Sequence, residues 1–184
     1  MVFRALFLFL IAISAFGAEV AGVTLPDTDK QLVLNGAGLR KRAFFQVYAI
    51  GLYVAERKSA AAEVIGASGA KRVAIHMLRD VGADQFTDAL MDGMKDNQSE
   101  AEMKAFDARI KQLAAIMAEM KEARKGMRIT LDWLPGAGTQ VTVEGKPSGA
   151  LIPGEDFYRA LLRIWVGDNP VQADLKKALL GDKP

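Results

Sequence analysis

The sequence predicts an α+β domain in which helices cover an antiparallel sheet. Runs rich in β-branched and aromatic residues open the chain and recur late in it. Two longer segments repeat their apolar residues at steps of three and four. The order is strands, helices, a hairpin, then helices, whereas a doubly wound parallel sheet would need strands and helices to alternate. A length of 184 residues suits one domain, and 51% hydrophobic with 25% charged residues is ordinary globular composition.

Met1 to Ala18 has one arginine near its start, an apolar run from Ala5 to Phe16, and small residues at its end. Those are the three regions of a secretory signal peptide, so 1–18 is read as a leader and 19–184 as the domain. The expected location is the periplasm or outside the cell. Cleavage after Gly17, which places Ala15 three residues back, suits processing better than cleavage after Ala18. The apolar run is shorter than the ~20 residues of a spanning helix, so no stable membrane anchor is expected after cleavage. Loss of 1–18 removes Arg4 alone and lowers the net charge of +2 by one.

Gln31–Leu34 and Ala43–Val54 read as strands, separated by the turn-like Asn35-Gly36-Ala37-Gly38. Ser59–Ile65 is alanine-rich and reads as a short helix. In Arg72–Leu78, Val73, Ile75 and Met77 alternate with Ala74, His76 and Leu78, a strand pattern. Asp84–Met94 places Phe86, Leu90 and Met94 on one helical stripe. Ser99 and Glu102 form a capping box ahead of a long helix whose stripe is Met103, Phe106, Ile110, Leu113, Met117 and Met120, with Gly126 as its stop. That stripe is a core-facing side of the domain or, as alternatives, a coiled-coil seam or a methionine-rich partner surface. Met127–Trp133 and Thr139–Val143 read as a hairpin around Pro135–Gly138. Asp156–Val166 returns to helix, Gly167 to Pro170 breaks it, and Val171–Leu180 forms a last short helix.

Composition excludes much chemistry. With no cysteine there is no disulfide scaffold, thiol catalysis or cysteine zinc site, and one histidine excludes histidine-pair metal sites. No metal and no cofactor are expected. A net charge of +2 without a long basic stripe gives no sign of nucleic-acid binding. Gly36-x-Gly38 lacks the third glycine of a dinucleotide fingerprint, since position 41 is lysine, and no phosphate loop or serine elbow is present. His76 reads as a packed or rim histidine, and Glu155-Asp156 as acidic residues suited to a helix start. Arg40-Lys41-Arg42 is a solvated basic loop or an anion contact.

Asn35-Gly-Ala-Gly-Leu-Arg-Lys-Arg42, followed by Phe44-Phe-Gln-Val-Tyr-Ala-Ile-Gly-Leu-Tyr53, resembles the chalcone isomerase-like family. The resemblance extends through Gln85-Phe86 and Leu131 to Phe157, Ile164–Gly167, Pro170-Val171 and Leu179-Leu180. It implies an open-faced β-sandwich, an antiparallel sheet packed against a layer of helices with a ligand cleft between them. Plant enzymes of the family close chalcones to flavanones by intramolecular addition, and plastid members bind fatty acids without catalysis. The enzyme's charge-stabilising arginine matches Arg40 and its strand threonine matches Tyr48. Its helix tyrosine falls on Phe86, its asparagine on Gly93, and a late-helix hydroxyl residue on Ile164. Phe86 and Gly93 offer no hydrogen bond, and loss of one such donor commonly costs about 10²–10³ in rate, which disfavours chalcone isomerisation.

The resemblance therefore implies an exported, non-catalytic binder of a small hydrophobic carboxylate such as a fatty acid. Arg40, Tyr48 and Arg42 are the candidate anchors, with Phe86, Leu90, Phe157 and Leu161 as apolar walls. On sequence alone those four also fit plain core. The alternative is an intramolecular lyase of unknown substrate, with Arg40 as electrostatic stabiliser and Tyr48 as proton donor. On one straight strand Arg40 and Tyr48 would stand ~26 Å apart at ~3.3 Å per residue. They meet only if the chain reverses at Ala43-Phe44, which lacks Gly, Pro, Asn or Asp; Arg42 is the substitute anchor.

Overall fold

The computed structural model describes residues 17–182. The proposed leader therefore lies outside the described residues except for Gly17 and Ala18. In chain order the elements are β1 (Ala18–Val20), β2 (Val23–Leu25), β3 (Thr28–Asp29), β4 (Leu32–Arg42), β5 (Phe45–Val54), α1 (Ala61–Gly66), β6 (Lys71–Met77), β7 (Val81–Gly82), α2 (Ala83–Lys95), α3 (Glu100–Glu119), β8 (Glu122–Ala123), β9 (Arg128–Leu134), β10 (Gly138–Val143), β11 (Lys146–Ile152), α4 (Glu155–Val166) and α5 (Ala173–Leu179). Seven strands form one sheet in the order β11-β10-β9-β6-β5-β4-β3, with antiparallel neighbours throughout. This is the α+β sheet-and-helix architecture that the element order predicts.

Strand alternation divides the sheet into two faces. Tyr48, Ile50, Leu52 and Val54 of β5 share a face with Val73, Ile75 and Met77 of β6 and with Ile129, Leu131 and Trp133 of β9. All belong to one core with Phe86, Leu90 and Met94 of α2, Leu113 and Met117 of α3, and most of α4. The long-helix stripe thus faces the core: Phe106, Leu113 and Met117 are buried, and Met103, Ile110 and Met120 pack half-buried against it. A methionine-rich partner surface is excluded by this burial. On the opposite face Tyr53 and Ala74 form a small cluster with Leu32 and Leu34, beside a buried ion network. There Arg72 donates to Asp132 from Nε (2.6 Å) and Nη2 (2.8 Å), and its Nη1 pairs with Asp29 at 2.6 Å.

Three elements differ from expectation. β4 runs unbroken through Asn35–Gly38, where a turn is predicted. Asn35 Nδ2 donates to the carbonyl of Leu179, and its Oδ1 accepts from the backbone of Lys58. A Cβ on Gly36 would lie 2.2 Å from the Ala178 carbonyl oxygen, and one on Gly38 would lie 2.6 Å from Leu175. The glycines let α5 lie directly on the strand. α3 ends at Glu119, not near Gly126, because Lys121 turns left-handed (φ +60) and Ala123 pairs with Val81. β11 is an unpredicted edge strand, and Pro147 is tolerated at that edge. The capping box of α3 forms as its sequence predicts.

Candidate functional site

The reversal that Arg40 and Tyr48 require is present. β4 and β5 are joined by the two-residue turn Ala43-Phe44, and Arg42 pairs with Phe45, Lys41 with Gln46, and Arg40 with Tyr48. Ala43 adopts φ +53, the left-handed region that normally selects glycine or asparagine. Facing residues of an antiparallel pair project to one side of the sheet, here the helix side.

Beside this pair lies a cavity of about 700 Å³. Its floor consists of the buried side chains of Tyr48, Phe86, Leu90 and Ile164, and its sides include Val47, Val81 and Val171. Arg40 stands half-buried at one wall, while Arg42, Phe45 and Arg79 are exposed at the hairpin rim. The opposite rim, on α2, is acidic and exposed, with Asp88 and Asp92. The cavity is therefore apolar at its base and polarised across its mouth.

Trp165 of α4 and Gln172, the residue just ahead of α5, hold the anchors in place. Trp165 Nε1 donates to the Tyr48 hydroxyl at 2.9 Å, so that oxygen accepts while its own proton is left to donate. Burial pushes the Tyr48 phenol upward, opposed by the Trp165 hydrogen bond and the neighbouring Arg40 charge. Tyr48 is thus a neutral donor at ordinary pH. Arg40 Nη1 donates to the Lys41 carbonyl and, at 3.3 Å, to Gln172 Oε1. Gln172 also accepts from the Lys41 backbone at 2.8 Å and donates to the Leu39 carbonyl at 3.0 Å, so it fixes the strand beneath the guanidinium.

Of the residues singled out from sequence, Arg40, Arg42, Tyr48, Phe86 and Leu90 line this one cavity. Phe157 and Leu161 do not. Phe157 packs against Phe106, with ring centroids 5.8 Å apart, and both residues lie in the core. They sit deeper along α4 than Ile164, which does reach the cavity. Trp165, Gln172 and Arg79 escaped sequence reasoning. Trp165 reads there only as an apolar helical position, and nothing local marks Gln172 or Arg79. Gly93 and Ile164, the positions to which the resemblance assigns polar side chains, meet each other: a Cβ on Gly93 would lie 2.8 Å from Ile164 Cγ2. The position is filled by close helix packing, with no room for an amide.

His76 stands on the outer face of β6, away from the cavity; burial lowers its pKa, and Arg128 lowers it further. Among the described residues no cluster of three or more His, Asp or Glu side chains is placed to hold a metal ion. No helix among them is long and apolar enough to cross a membrane.

A sequence model described as chalcone isomerase-like matches residues 17–181. No curated protein matches the chain. Among solved structures, a fatty-acid binding protein of Arabidopsis thaliana is similar in fold, with a TM-score of 0.68 and 16% identity, covering 86% of this chain and 92% of that one.

Proposed function

This chain belongs to the chalcone isomerase-like family, and we propose that it binds a small hydrophobic carboxylate, a fatty acid in the first instance, without transforming it. The observation that carries the reading is the pairing of Arg40 with Tyr48 over an apolar floor. A guanidinium and a phenol proton are complementary to one carboxylate, and charge-assisted bonds of this kind are the strong ones. The acidic rim of α2 repels a second negative charge, so the head group goes to the hairpin end. The acyl portion then runs over Phe86, Leu90 and Ile164. A volume of about 700 Å³ falls in the ~300–1,000 Å³ range of small-molecule sites. The similar Arabidopsis thaliana structure is that of a fatty-acid binding protein, which supports this choice of ligand. The lyase alternative is weaker, because Phe86 and Gly93 supply no donor to a developing oxyanion.

Export behind residues 1–18 is part of the same proposal. Cleavage after Gly17 would keep the whole of β1, which begins at Ala18, whereas cleavage after Ala18 would remove its first residue.

The test is organic extraction of the purified protein with mass spectrometry, followed by displacement of a fluorescent fatty acid. Extraction should yield acyl carboxylates, and Arg40→Ala should weaken binding about 10- to 100-fold, the loss of one charged hydrogen bond. Absence of both extracted acid and saturable binding overturns the proposal. So does unchanged binding in Arg40→Ala and in Arg42→Ala.

A further inference from the structure

The β4–β5 hairpin carries two aromatic side chains at its end that the core does not use. Phe44 is 85% exposed and Phe45 46%. Their ring centroids are 4.2 Å apart, and the Arg79 guanidinium lies 4.3 Å from the Phe45 ring centroid. Lys41 and Arg42 of β4 are exposed immediately before the turn. Among the described residues, Lys41, Arg42 and Arg79 lie within ion-pair distance of no carboxylate. The exposed Asp80 follows Arg79 and accepts from the Lys125 backbone at 2.7 Å, and Arg124 beside it pairs with Glu122 at 3.5 Å, so Lys125 is the cation this turn adds. The exposed carboxylates of Asp88 and Asp92 stand across the cavity on α2. The end of the hairpin is thus an apolar knob set in a basic collar.

We propose that this hairpin end docks on the surface of an anionic phospholipid bilayer. Phe44 and Phe45 enter the interface, where aromatic rings settle at headgroup depth, and Lys41, Arg42 and Arg79 meet the phosphates. Juxtaposed cations are attracted to an anionic leaflet, and guanidinium matches phosphate geometry. A second copy of this chain is a poor partner for the same knob, since two basic collars would repel. With two rings and three cations the attachment is reversible and weaker than a spanning helix. Phe45, Arg42 and Arg79 also border the cavity, so docking sets the cavity mouth against the lipid headgroups. The docking itself does not depend on what the cavity holds.

The two native tryptophans are Trp133 and Trp165, both buried, so Phe44→Trp introduces an exposed indole at the knob. The full-length variant is mixed with phosphatidylglycerol/phosphatidylcholine vesicles carrying brominated acyl chains, and with pure phosphatidylcholine vesicles. The expected result is a blue shift and quenching of the added indole on the anionic vesicles, reversed by salt, with little change on the neutral ones. Because the reporter sits on the knob, any lipid affinity of residues 1–18 does not mimic it. Phe44→Ser should reduce the fraction of protein sedimenting with anionic vesicles, with affinity falling about ten-fold, the transfer cost of one phenyl ring. An unquenched indole at saturating anionic lipid overturns the proposal, as does equal quenching on neutral vesicles. Self-association that Phe44→Ser abolishes, without quenching by lipid, would assign the knob to a second copy instead.

Discussion

Tyr48→Phe removes one oxygen at the junction of the proposed anchor and the core, and its consequences can be worked from the contacts. The Tyr48 hydroxyl is the acceptor for Trp165 Nε1 at 2.9 Å, and the two residues are 7% and 2% exposed. Without that oxygen the indole N–H is buried and unpaired, which costs about 1–3 kcal/mol. The cavity borders Tyr48, so water can reach part of the vacated space and the lower half of that range applies. A loss of about 1–2 kcal/mol corresponds to a melting temperature roughly 2–8 °C lower for a domain of this size. Urea unfolding should be followed by far-ultraviolet circular dichroism, so that indole changes do not enter the signal. The midpoint should fall with an unchanged slope. Trp165→Phe removes the other partner, and the double variant should cost less than the sum of the singles by about 1 kcal/mol. Fatty-acid affinity should fall with Tyr48→Phe by about 5- to 10-fold, the value of one hydrogen bond. Stability within about 0.5 kcal/mol of the parent, or strict additivity in the cycle, would refute the reasoning.

Arg72→Ala leaves Asp132 buried beside Asp29 without their shared cation, so the urea midpoint should fall by an amount equivalent to about 3–5 kcal/mol. Replacing the Arg72–Asp132 pair together by Met and Leu should restore most of that loss, since no charge is then buried at position 132 and Asp29 keeps its pair with Arg128. Stability should also fall in two steps on acidification. Burial, and then Arg128, hold the folded pKa of His76 below its ordinary 6.5, so the unfolded chain binds the proton first and stability declines as pH drops through that value. Burial alone would raise Asp29, but the hydrogen bond and charge of Arg72, with Arg128, hold it below 3.8; its contribution is full above that value and is lost as pH falls further toward the folded pKa. Urea midpoints across the two ranges should lose the upper step in His76→Gln and show a smaller lower step in Asp29→Asn, where Glu102, Asp156 and Asp174, also held below their ordinary values, supply the remainder. Persistence of the upper step in His76→Gln, or of the lower step at full size in Asp29→Asn, would assign the titration elsewhere.

Element type was legible wherever one face is consistently apolar. β6 reads correctly from Val73, Ile75 and Met77, α2 from Phe86, Leu90 and Met94, and α3 from its capping box and stripe. What failed depended on contacts distant in sequence. Gly36 and Gly38 carry the local signature of a turn, yet their missing side chains accommodate α5, about 140 residues later. The end of α3 is set by pairing with β7, and β11 is recruited as an edge although Pro147 and Gly149 weaken its strand signal. For the candidate site, Arg40, Arg42, Tyr48, Phe86 and Leu90 came from family resemblance and converge on one cavity. Phe157 and Leu161 could not be separated from Ile164 by helical periodicity, because α4 is buried on most of its circumference.

The Ala43-Phe44 turn ties these points together. Turn chemistry alone disfavours it: alanine at φ +53 costs roughly 1 kcal/mol relative to glycine, and phenylalanine gains nothing from exposure. The cost is tolerable because the turn is over-determined by the pairings behind it, Arg42 with Phe45, Lys41 with Gln46, and Arg40 with Tyr48. A hairpin selected for stability alone would place Asn-Gly at this position. Here instead the register brings the proposed anchor pair together, and the reversal holds two phenyl rings out from a basic rim. Left-handed non-glycine residues also occur at Ala21, Lys30, Gln31, Lys121 and Glu144, so backbone geometry alone does not single out this turn; what sets it apart is that both the ligand proposal and the bilayer proposal require it.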